Sequence, residues 1–265
     1  MQLFGSWWES GKVSVVLIDT HCHVDRYPDP MALAEDCERQ RIATVAVTQL
    51  PSHFQMAMRH IGMMQFVRPA LGFHPLAVKG NEGELPLFRS LLPDVQFVGE
   101  IGLDLSREGA SSQLEQLRIF RAIAAELAGN RKFVTLHSRG AEEEVADILH
   151  ENDVTECVFH WFSGATKALK KVIERGHYFS INTSMVTTQK GRSLLSLVPR
   201  DRILTETDGP YIKFGGRPAK PCDVGVVLSG IADVWGVSVE KVDAHVTHNY
   251  SQLCESLGIK HTSIG

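Results

Sequence analysis

The chain lacks several features that would place it in a common class. None of its apolar runs reaches the roughly 18 residues that a membrane-spanning helix needs, and no two cysteines have the C-x-x-C spacing of a zinc knuckle or a redox motif. Its five cysteines are an odd number and lie far apart, which argues against a disulfide framework. With 27 basic and 31 acidic residues, it has no excess of positive charge to hold a polyanion. We therefore expect a cytoplasmic protein that does not bind membranes.

No Pro/Gly/Ser-rich linker and no low-complexity tract divides the 265 residues, of which 43% are hydrophobic. That share is enough to bury one large core, so residues 1–265 are predicted to form a single domain. The apolar run near the amino terminus has no basic segment before it, which argues against a signal peptide. Residues 1–12 are interpreted as an N-terminal extension, whose Trp7 and Trp8 are expected to cover one end of the domain.

Short β-branched runs alternate with segments of helical periodicity along nearly the whole chain. The predicted strands are residues 13–19, 43–48, 68–72, 96–101, 133–136, 156–159, 178–181 and 202–205. The predicted helices include residues 30–39, 112–128, 141–150, 165–174 and 239–257. Eight continuous apolar strands separated by helices predict a parallel sheet covered on both faces, and eight such units close a barrel. The expected fold class is therefore α/β, a (β/α)8 TIM barrel.

The helix predicted over residues 112–128 has apolar residues at helical spacing. The residues expected on its buried face are Leu114, Leu117, Phe120, Ile123, Ala124 and Leu127.

Polar side chains follow the predicted strands at their carboxyl ends. They are His21 and His23 after the first strand, His74 after the third, Glu100 at the end of the fourth, His137 after the fifth, His160 after the sixth, Asn182 after the seventh and Asp208 after the eighth. These ends converge on one face of a barrel, where active sites are built. We therefore expect five imidazoles to meet two carboxylates in one cavity. The other histidines are expected away from this face: His53, His60, His150, His177, His245, His248 and His261.

His21 and His23 stand at positions i and i+2 of an extended segment, so both imidazoles point to the same side and can bind one metal ion. Cys22 points to the other side and is expected to pack as a small hydrophobe. Nitrogen and carboxylate ligands without thiolates favour Zn²⁺ or Mn²⁺, or Mg²⁺ with additional oxygen ligands. The candidate ligands are His21, His23, Glu100, His137, His160 and Asp208. Six ligands exceed one tetrahedral site and suit two divalent ions that share Glu100, an arrangement that can hydrolyse a phosphodiester.

Six sequence blocks contain these residues: IDTHCHVD at 18–25, GFHP at 72–75, GEIGLD at 99–104, LHSRGA at 136–141, FHWFSG at 159–164 and LTETDGPY at 204–211. In order and spacing they resemble the TatD family of metal-dependent deoxyribonucleases. The resemblance implies a TIM barrel of the amidohydrolase superfamily, two divalent metal ions (Mg, Mn or Zn) and hydrolysis of phosphodiester bonds, typically by a DNA exonuclease.

The resemblance also implies a role for each block. His21, His23 and Asp208 look like ligands of one ion, and His137 and His160 look like ligands of the second. Glu100 looks like the bridge between them. His74 looks like a group that contacts the scissile phosphate.

Three groups are assigned catalytic roles. Asp208 is expected to orient the attacking water and to accept its proton, while Glu100 sets the separation of the ions. His74 would polarise the phosphate or protonate the leaving oxygen, unless it is only a structural cap before Pro75. Glu206 is expected to support a ligand rather than to bind metal itself.

Some positions depart from the common pattern of the family. Leu105, Ser106 and Arg107 stand where aromatic residues are common, Trp161 stands where cysteine is usual, and residues 215–223 lack the usual asparagine-proline pair. These departures resemble the QatD-like branch found in antiphage defence clusters, which implies protein partners in a defence complex.

Positive charge is concentrated in residues 158–221, where eleven lysines and arginines accompany four acidic residues. The lysines of the outer helix, such as Lys167 and Lys171, are expected to be solvated. The residues expected to contact DNA, single-stranded or at its ends, are Arg139, Lys213, Arg217 and Lys220. Asn182 would reach a phosphate or cap the following helix.

Other functions remain open on the same barrel. It could serve an amidohydrolase or deaminase, an aminoacyl-tRNA deacylase, or a non-catalytic subunit that docks partners in a defence complex. Glu100 stands where many binuclear amidohydrolases carry a carbamylated lysine, which favours the nuclease. All six candidate ligands are present, which argues against a purely docking role.

Overall fold

The structure, a computed structural model, describes residues 17–259. Eight strands form the barrel: β1 (Ile18–Cys22), β2 (Ala43–Val47), β3 (Val67–Ala70), β4 (Phe97–Gly102), β5 (Phe133–His137), β6 (Val158–His160), β7 (Tyr178–Ile181) and β8 (Ile203–Thr205). Two short strands, β9 (Lys213–Phe214) and β10 (Arg217–Pro218), make an antiparallel hairpin after β8. The predicted α/β TIM barrel is confirmed. Over the described part of the chain the strands lie within two residues of their predicted bounds, except that β1 ends three residues later than predicted.

The helices lie between and after the strands. They are α1 (Pro30–Gln40), α2 (Pro51–Ile61), α3 (Leu85–Leu91), α4 (Gln113–Leu127), α5 (Glu142–Glu151), α6 (Thr166–Glu174), α7 (Thr183–Thr187), α8 (Gln189–Leu195), α9 (Val224–Trp235) and α10 (Val239–Ser256). The predicted extension, residues 1–12 with Trp7 and Trp8, lies outside the described residues. Within residues 17–259, no single helix is long and apolar enough to cross a bilayer, although the bent pair Pro221–Trp235 and Val239–Ser256 together meets that test by length and composition.

The strands pair in parallel, each with its neighbour in the sequence. β1, β2 and β3 form one ladder, β4 to β8 form a second, and a single bridge between Leu71 and Val98 joins the two. Hydrogen bonds close the barrel between its first and last strands: the Thr20 hydroxyl donates to the Thr205 carbonyl (3.0 Å) and the Thr205 hydroxyl donates to the Ile18 carbonyl (2.5 Å). Two threonine side chains thus take the place of a regular ladder at this seam.

The strands have continuous apolar sequences because both of their faces are buried. Every residue of β4 and β7 is buried, because the barrel interior covers one face and the helices cover the other. Cys22 is fully buried, as expected for a packing residue, and all five cysteines are free thiols. The prediction for α4 was wrong at Leu114, which is 80% exposed, because the buried face begins at Gln116 and continues with Ile119.

His177 lies directly before β7, at the end of the barrel opposite the candidate ligands. Its side chain is fully buried against Phe159, with ring centroids 5.3 Å apart. Its Nδ1 accepts a hydrogen bond from the Cys157 N–H (3.3 Å). Burial, together with the nearby positive charges of Arg175 and Arg202, lowers the pKa of this imidazole to about 4, because the protonated ring would be neither hydrated nor paired.

This depressed pKa predicts that His177 makes the fold sensitive to acid. The unfolded imidazole has a pKa of about 6.5, so the stabilisation is complete above that pH and is lost as pH falls toward 4. We expect the wild type to lose about 2 kcal/mol more free energy of unfolding than His177→Gln between pH 7 and pH 5. Urea denaturation of the metal-free proteins measures this difference. His150→Gln, at an exposed histidine, serves as the control, and equal losses in wild type and His177→Gln would contradict the prediction.

Candidate metal centre

The carboxyl ends of six barrel strands deliver the predicted polar residues to one face. His21 and His23 come from the end of β1, Glu100 from β4, His137 from β5 and His160 from β6. His74 follows β3, and Asp208 lies three residues after β8. All of these side chains are buried except that of His137, which is 15% exposed. The structure therefore brings the predicted polar residues together in one cluster.

Glu100 stands at the centre of this cluster. Its Oε2 lies 3.2 Å from His23 Nε2, 3.3 Å from His74 Nε2 and 3.5 Å from His21 Nε2. Its Oε1 lies 2.7 Å from His137 Nδ1 and 2.8 Å from His160 Nε2. One carboxylate thus has a different set of imidazoles at each oxygen, which is the arrangement that a group shared between two sites requires.

Ligand-type atoms lie close enough to hold metal in three overlapping groups. In each group these atoms lie within 4.8 Å of one another. The groups are His21 with His23 and Asp208, His21 with His160 and Glu206, and His74 with Glu100 and His137. The first is the predicted set for one ion. The other two divide the remaining ligands differently from the prediction, since they include His74 and Glu206.

The electrostatics of the cluster fit a cation. Burial opposes ionisation of Glu100, but the attraction of His74 and the other imidazoles outweighs it and holds the pKa of this carboxyl well below its ordinary value. Burial raises the pKa of Asp208 to about 7, although His160 and His23 oppose the shift. Glu100 Oε2 and His21 Nε2 are buried and make no hydrogen bond within the described chain. Because such buried polar atoms are costly, a divalent cation between them would supply the missing interaction.

Polar groups outside the cluster form hydrogen bonds that orient the imidazoles. The Thr135 hydroxyl lies 2.7 Å from His21 Nδ1, which directs Nε2 toward the cavity. His137 Nε2 lies 2.9 Å from Asp104 Oδ2, so this ring is held by a carboxylate on each side. Gly99 allows the close approach of Thr135, because a Cβ at that position would lie 2.3 Å from Thr135 Cγ2. Such outer partners tune the orientation and basicity of metal-binding histidines.

Glu206 is the outer partner of His160, from which it is 3.6 Å away. Its carboxylate accepts hydrogen bonds from the Trp161 N–H (3.1 Å), from Asn182 Nδ2 (2.8 Å) and from the Ser180 hydroxyl. With so many donors the carboxylate is held in one orientation, in agreement with a supporting role.

A buried carboxylate also joins the first and last ligand segments. Asp19 accepts hydrogen bonds from the His21 N–H (3.2 Å) and from the N–H and hydroxyl of Thr207 (2.9 and 2.5 Å). The backbone continues this link, since the Asp208 N–H donates to the His21 carbonyl (2.9 Å). Asp208 itself has φ of 48°, a left-handed conformation that turns the chain at the ligand position. Its placement therefore depends on contacts with β1.

The imidazole of His74 has a defined hydrogen-bonding role. Its Nδ1 accepts a hydrogen bond from the Leu76 N–H (3.1 Å), so it caps the short helix Pro75–Ala77. In the neutral ring the proton then resides on Nε2, which faces Glu100 Oε2. The residue is thus both the structural cap and a hydrogen-bond donor directed into the cavity.

The predicted substrate contacts are less well placed than the predicted ligands. Arg139 pairs with Glu108 (2.7 Å), and Arg217 makes two hydrogen bonds to Asp223 (2.7 and 2.8 Å). Lys213 and Lys220 are exposed, on and next to the β9–β10 hairpin.

Asn182 is buried and uses both ends of its amide inside the protein. It donates to Glu206 and accepts a hydrogen bond from the Met185 N–H (3.1 Å), which makes it the cap of α7. Of the two roles expected from the sequence, the structure shows the cap. Its amide is engaged within the protein rather than offered to a phosphate.

The cations of the outer helix α6 do not face the cavity. Lys171 and Arg175 pair with Asp147 of α5 (2.8 and 2.6 Å), and Lys167 pairs with Glu143 (3.3 Å). The prediction that these cations lie away from the substrate agrees with this placement, but they are paired with carboxylates of α5 rather than merely solvated.

Three residues at the rim of the cavity were not singled out from the sequence. The ring of Tyr211 packs at a right angle to His23, with centroids 4.8 Å apart. Gln49 Nε2 donates to the Tyr211 hydroxyl (3.1 Å), and Arg26 donates to Gln49 Oε1. Tyr211 belongs to the block LTETDGPY and was within reach of motif reasoning. Gln49 and Arg26 come close to Tyr211 only in the folded structure, so no sequence motif identifies them.

A barrel with a buried cluster of histidines and carboxylates at its carboxyl face defines a metal-dependent hydrolase. A sequence model of the family described as TatD related DNase matches residues 18–255, and the chain belongs to this family.

Curated relatives match over nearly their whole length. An uncharacterized metal-dependent hydrolase of Methanocaldococcus jannaschii is 27% identical over 86% of this chain and 92% of its own. Deoxyribonuclease TATDN3 of Homo sapiens is 28% identical over 92% of this chain and 96% of its own. Among solved structures, the TatD homologue YJJV of Escherichia coli K12 superposes with a TM-score of 0.81 at 22% identity, over 91% of this chain and 98% of that one. This last likeness concerns the fold.

Removal of the Glu100 or the Asp208 carboxylate should weaken metal binding. We expect Glu100→Gln and Asp208→Asn each to lower the affinity for Mn²⁺ or Zn²⁺ by more than about 100-fold, because each leaves imidazoles without a shared anionic partner, whereas loss of an outer partner costs about 10- to 100-fold. Metal content after dialysis and calorimetric titration measure the effect, with His150→Gln as a matched control. Either variant that retained normal metal affinity would remove that residue from the ligand set.

Loss of the outer partner of His137 should have a smaller effect on the same measurements. We expect Asp104→Asn to weaken metal binding by about 10- to 100-fold while the protein remains folded, because His137 loses the carboxylate at Nε2. Asp201→Asn, at an exposed aspartate, is the control. Unchanged metal affinity in Asp104→Asn would show that Glu100 alone orients the ring.

Proposed function

We propose that this protein hydrolyses phosphodiester bonds of DNA as an exonuclease that uses two divalent ions, Mg²⁺, Mn²⁺ or Zn²⁺. The observation that carries the proposal is the Glu100 carboxylate, whose two oxygens face different sets of imidazoles. A carboxylate so placed suits a bridge between two ions. His21, His23 and Asp208 would hold one ion, and His137 and His160 would hold the other.

The relatives support the substrate class. Human TATDN3 is named a deoxyribonuclease, and the family description names DNase activity. The exonucleolytic mode rests on the resemblance of the six motif blocks. When bound, divalent ions supply Lewis acidity at the phosphate and lower the pKa of a nucleophilic water.

Asp208 is the candidate general base. Its carboxylate is buried near His23 Nε2 (3.6 Å), and this burial raises its pKa to about 7, which supports a role as proton acceptor. In the proposed reaction Asp208 accepts a proton from the attacking water. The new bond joins the water oxygen to phosphorus, the ester bond breaks, and the leaving oxygen takes a proton from solvent.

His74 is the candidate phosphate donor. Because Nδ1 already accepts from the Leu76 N–H, the proton on Nε2 is available to a non-bridging phosphate oxygen. Donation of this hydrogen bond stabilises the charge that develops on the phosphate. A neutral ring fixed in this tautomer is a poor proton source, so polarisation of the phosphate is the role we propose for it.

The alternatives are less well supported. An amidohydrolase or deaminase would act on a carbon–nitrogen bond, and an aminoacyl-tRNA deacylase on a carboxylic ester. Glu100, rather than a lysine, occupies the end of β4. A purely docking subunit would not need six ligand-type side chains gathered in one cluster. A QatD-like role in antiviral defence, protein partners in a defence complex and a cytoplasmic location stay predictions.

Degradation of end-labelled DNA tests the proposal. We expect single-stranded or duplex DNA with free ends to be degraded in Mg²⁺, Mn²⁺ or Zn²⁺, and closed circular single-stranded DNA to resist, because an exonuclease needs an end. Glu100→Ala should lower the rate by at least about 100-fold. Aminoacyl-tRNA and a dihydropyrimidine are assayed in parallel. Hydrolysis of either of these without hydrolysis of DNA would overturn the proposal, and rapid cutting of circles would replace the exonuclease with an endonuclease.

A further inference from the structure

An exposed aromatic side chain is held rigidly at the edge of the metal centre. Tyr211 is 54% exposed, although its ring packs against His23 with planes 83° apart. Its backbone N–H donates to the Asp208 carbonyl (3.0 Å), and its hydroxyl accepts from Gln49 Nε2 (3.1 Å). Tyr211 is therefore held by its backbone N–H, by the contact of its ring with His23 and by its hydroxyl. Much of its apolar surface nevertheless remains in solvent.

The support for this ring extends across three loops of the barrel face. Arg26, from the segment after β1, donates to the side chain of Gln49, which follows β2. Gln49 in turn holds Tyr211, which follows β8. We call Arg26, Gln49 and Tyr211 the rim chain. A surface tyrosine without a binding role would not need these hydrogen bonds to fix its orientation.

The charges near the metal centre favour an additional uncharged binding contact. Glu100, Asp208, Glu206 and Asp104 are buried acidic groups whose charge two divalent ions would offset, so the loaded site would carry little net positive charge. Two of the predicted phosphate-binding cations, Arg139 and Arg217, pair with acidic residues. A contact that does not depend on charge would therefore add to the affinity for a nucleic acid. An aromatic face can do so, because every base has a π-face on which to stack.

We propose that Tyr211 is the base-stacking platform of this site and holds the nucleobase next to the phosphodiester at the metal centre. The inference rests on the proposed function and adds a specificity determinant to it. Because the rim chain already orders the ring, little side-chain freedom is lost when the base binds. Bases inside a duplex are covered on both faces by their neighbours, so the platform favours single-stranded or frayed ends.

Substitution of the platform and removal of the base should report the same interaction. We expect Tyr211→Ala to raise KM for a short single-stranded oligonucleotide about tenfold, and Tyr211→Leu to do so to a similar extent, because leucine keeps bulk without a π-face. Tyr211→Phe keeps the ring and should change KM less than about threefold. Leu114→Ala, at an exposed apolar residue of α4, is the control.

The decisive arm uses a single abasic residue placed in turn at each of the three terminal positions. At one position we expect the wild type to lose affinity about tenfold and the additional effect of Tyr211→Ala to disappear. An effect of Tyr211→Ala that persists at every abasic position, or a Tyr211→Phe variant as impaired as Tyr211→Ala, would overturn the platform.

The same oligonucleotides are measured by fluorescence anisotropy in EDTA, where no hydrolysis occurs. The proposed function fails if the wild type hydrolyses no phosphodiester with any metal. The proposal of a stacking platform alone is refuted if DNA is hydrolysed but KM and the binding constant are the same for the wild type and Tyr211→Leu. Thermal unfolding of each variant verifies that the differences arise in folded protein.

Discussion

The site depends on one buried anion that five imidazoles share. Glu100 is almost fully buried, and burial alone would raise the pKa of its carboxyl, yet the surrounding histidines hold it ionised. The reverse also holds, because His160 is buried too, and the charge of Glu100 raises its pKa well above the ordinary value despite desolvation. Neither partner is stable in this cavity without the other. A centre of this kind is already organised around the charge pattern that a cation needs.

The second constraint is the closure of the barrel between β1 and β8. The hydroxyls of Thr20 and Thr205 join the two strands, and the Asp19 carboxylate extends the link to Thr207. The candidate ligands His21 and Asp208 lie directly beside these contacts. The polar seam that completes the fold thus also sets the distance between two of its ligands. A change at Asp19 would therefore act on the site through the hydrogen bonds that position His21 and Thr207.

The barrel and the inner ligands could be predicted from the sequence because both have local signals. Apolar runs at a regular spacing mark the strands, and the strand ends mark His137 or Asp208 without any knowledge of long-range contacts. The contacts that depend on tertiary structure could not be predicted. Thr135 orients His21 across the barrel, and Gln49 meets Tyr211 from a segment 162 residues earlier. A charge count over residues 158–221 is limited for a related reason, since it ignores the acidic residues of α5 with which Lys167, Lys171 and Arg175 pair.

The seam between the first and last strands has a consequence for the order of events in the cell. A ribosome releases His21 and His23 early, whereas Asp208 and the hydrogen bonds that position it emerge 187 residues after His21. Until then the two imidazoles lack the carboxylate that completes the candidate metal site. An ion held by all three side chains could therefore be bound only after translation has passed the eighth strand.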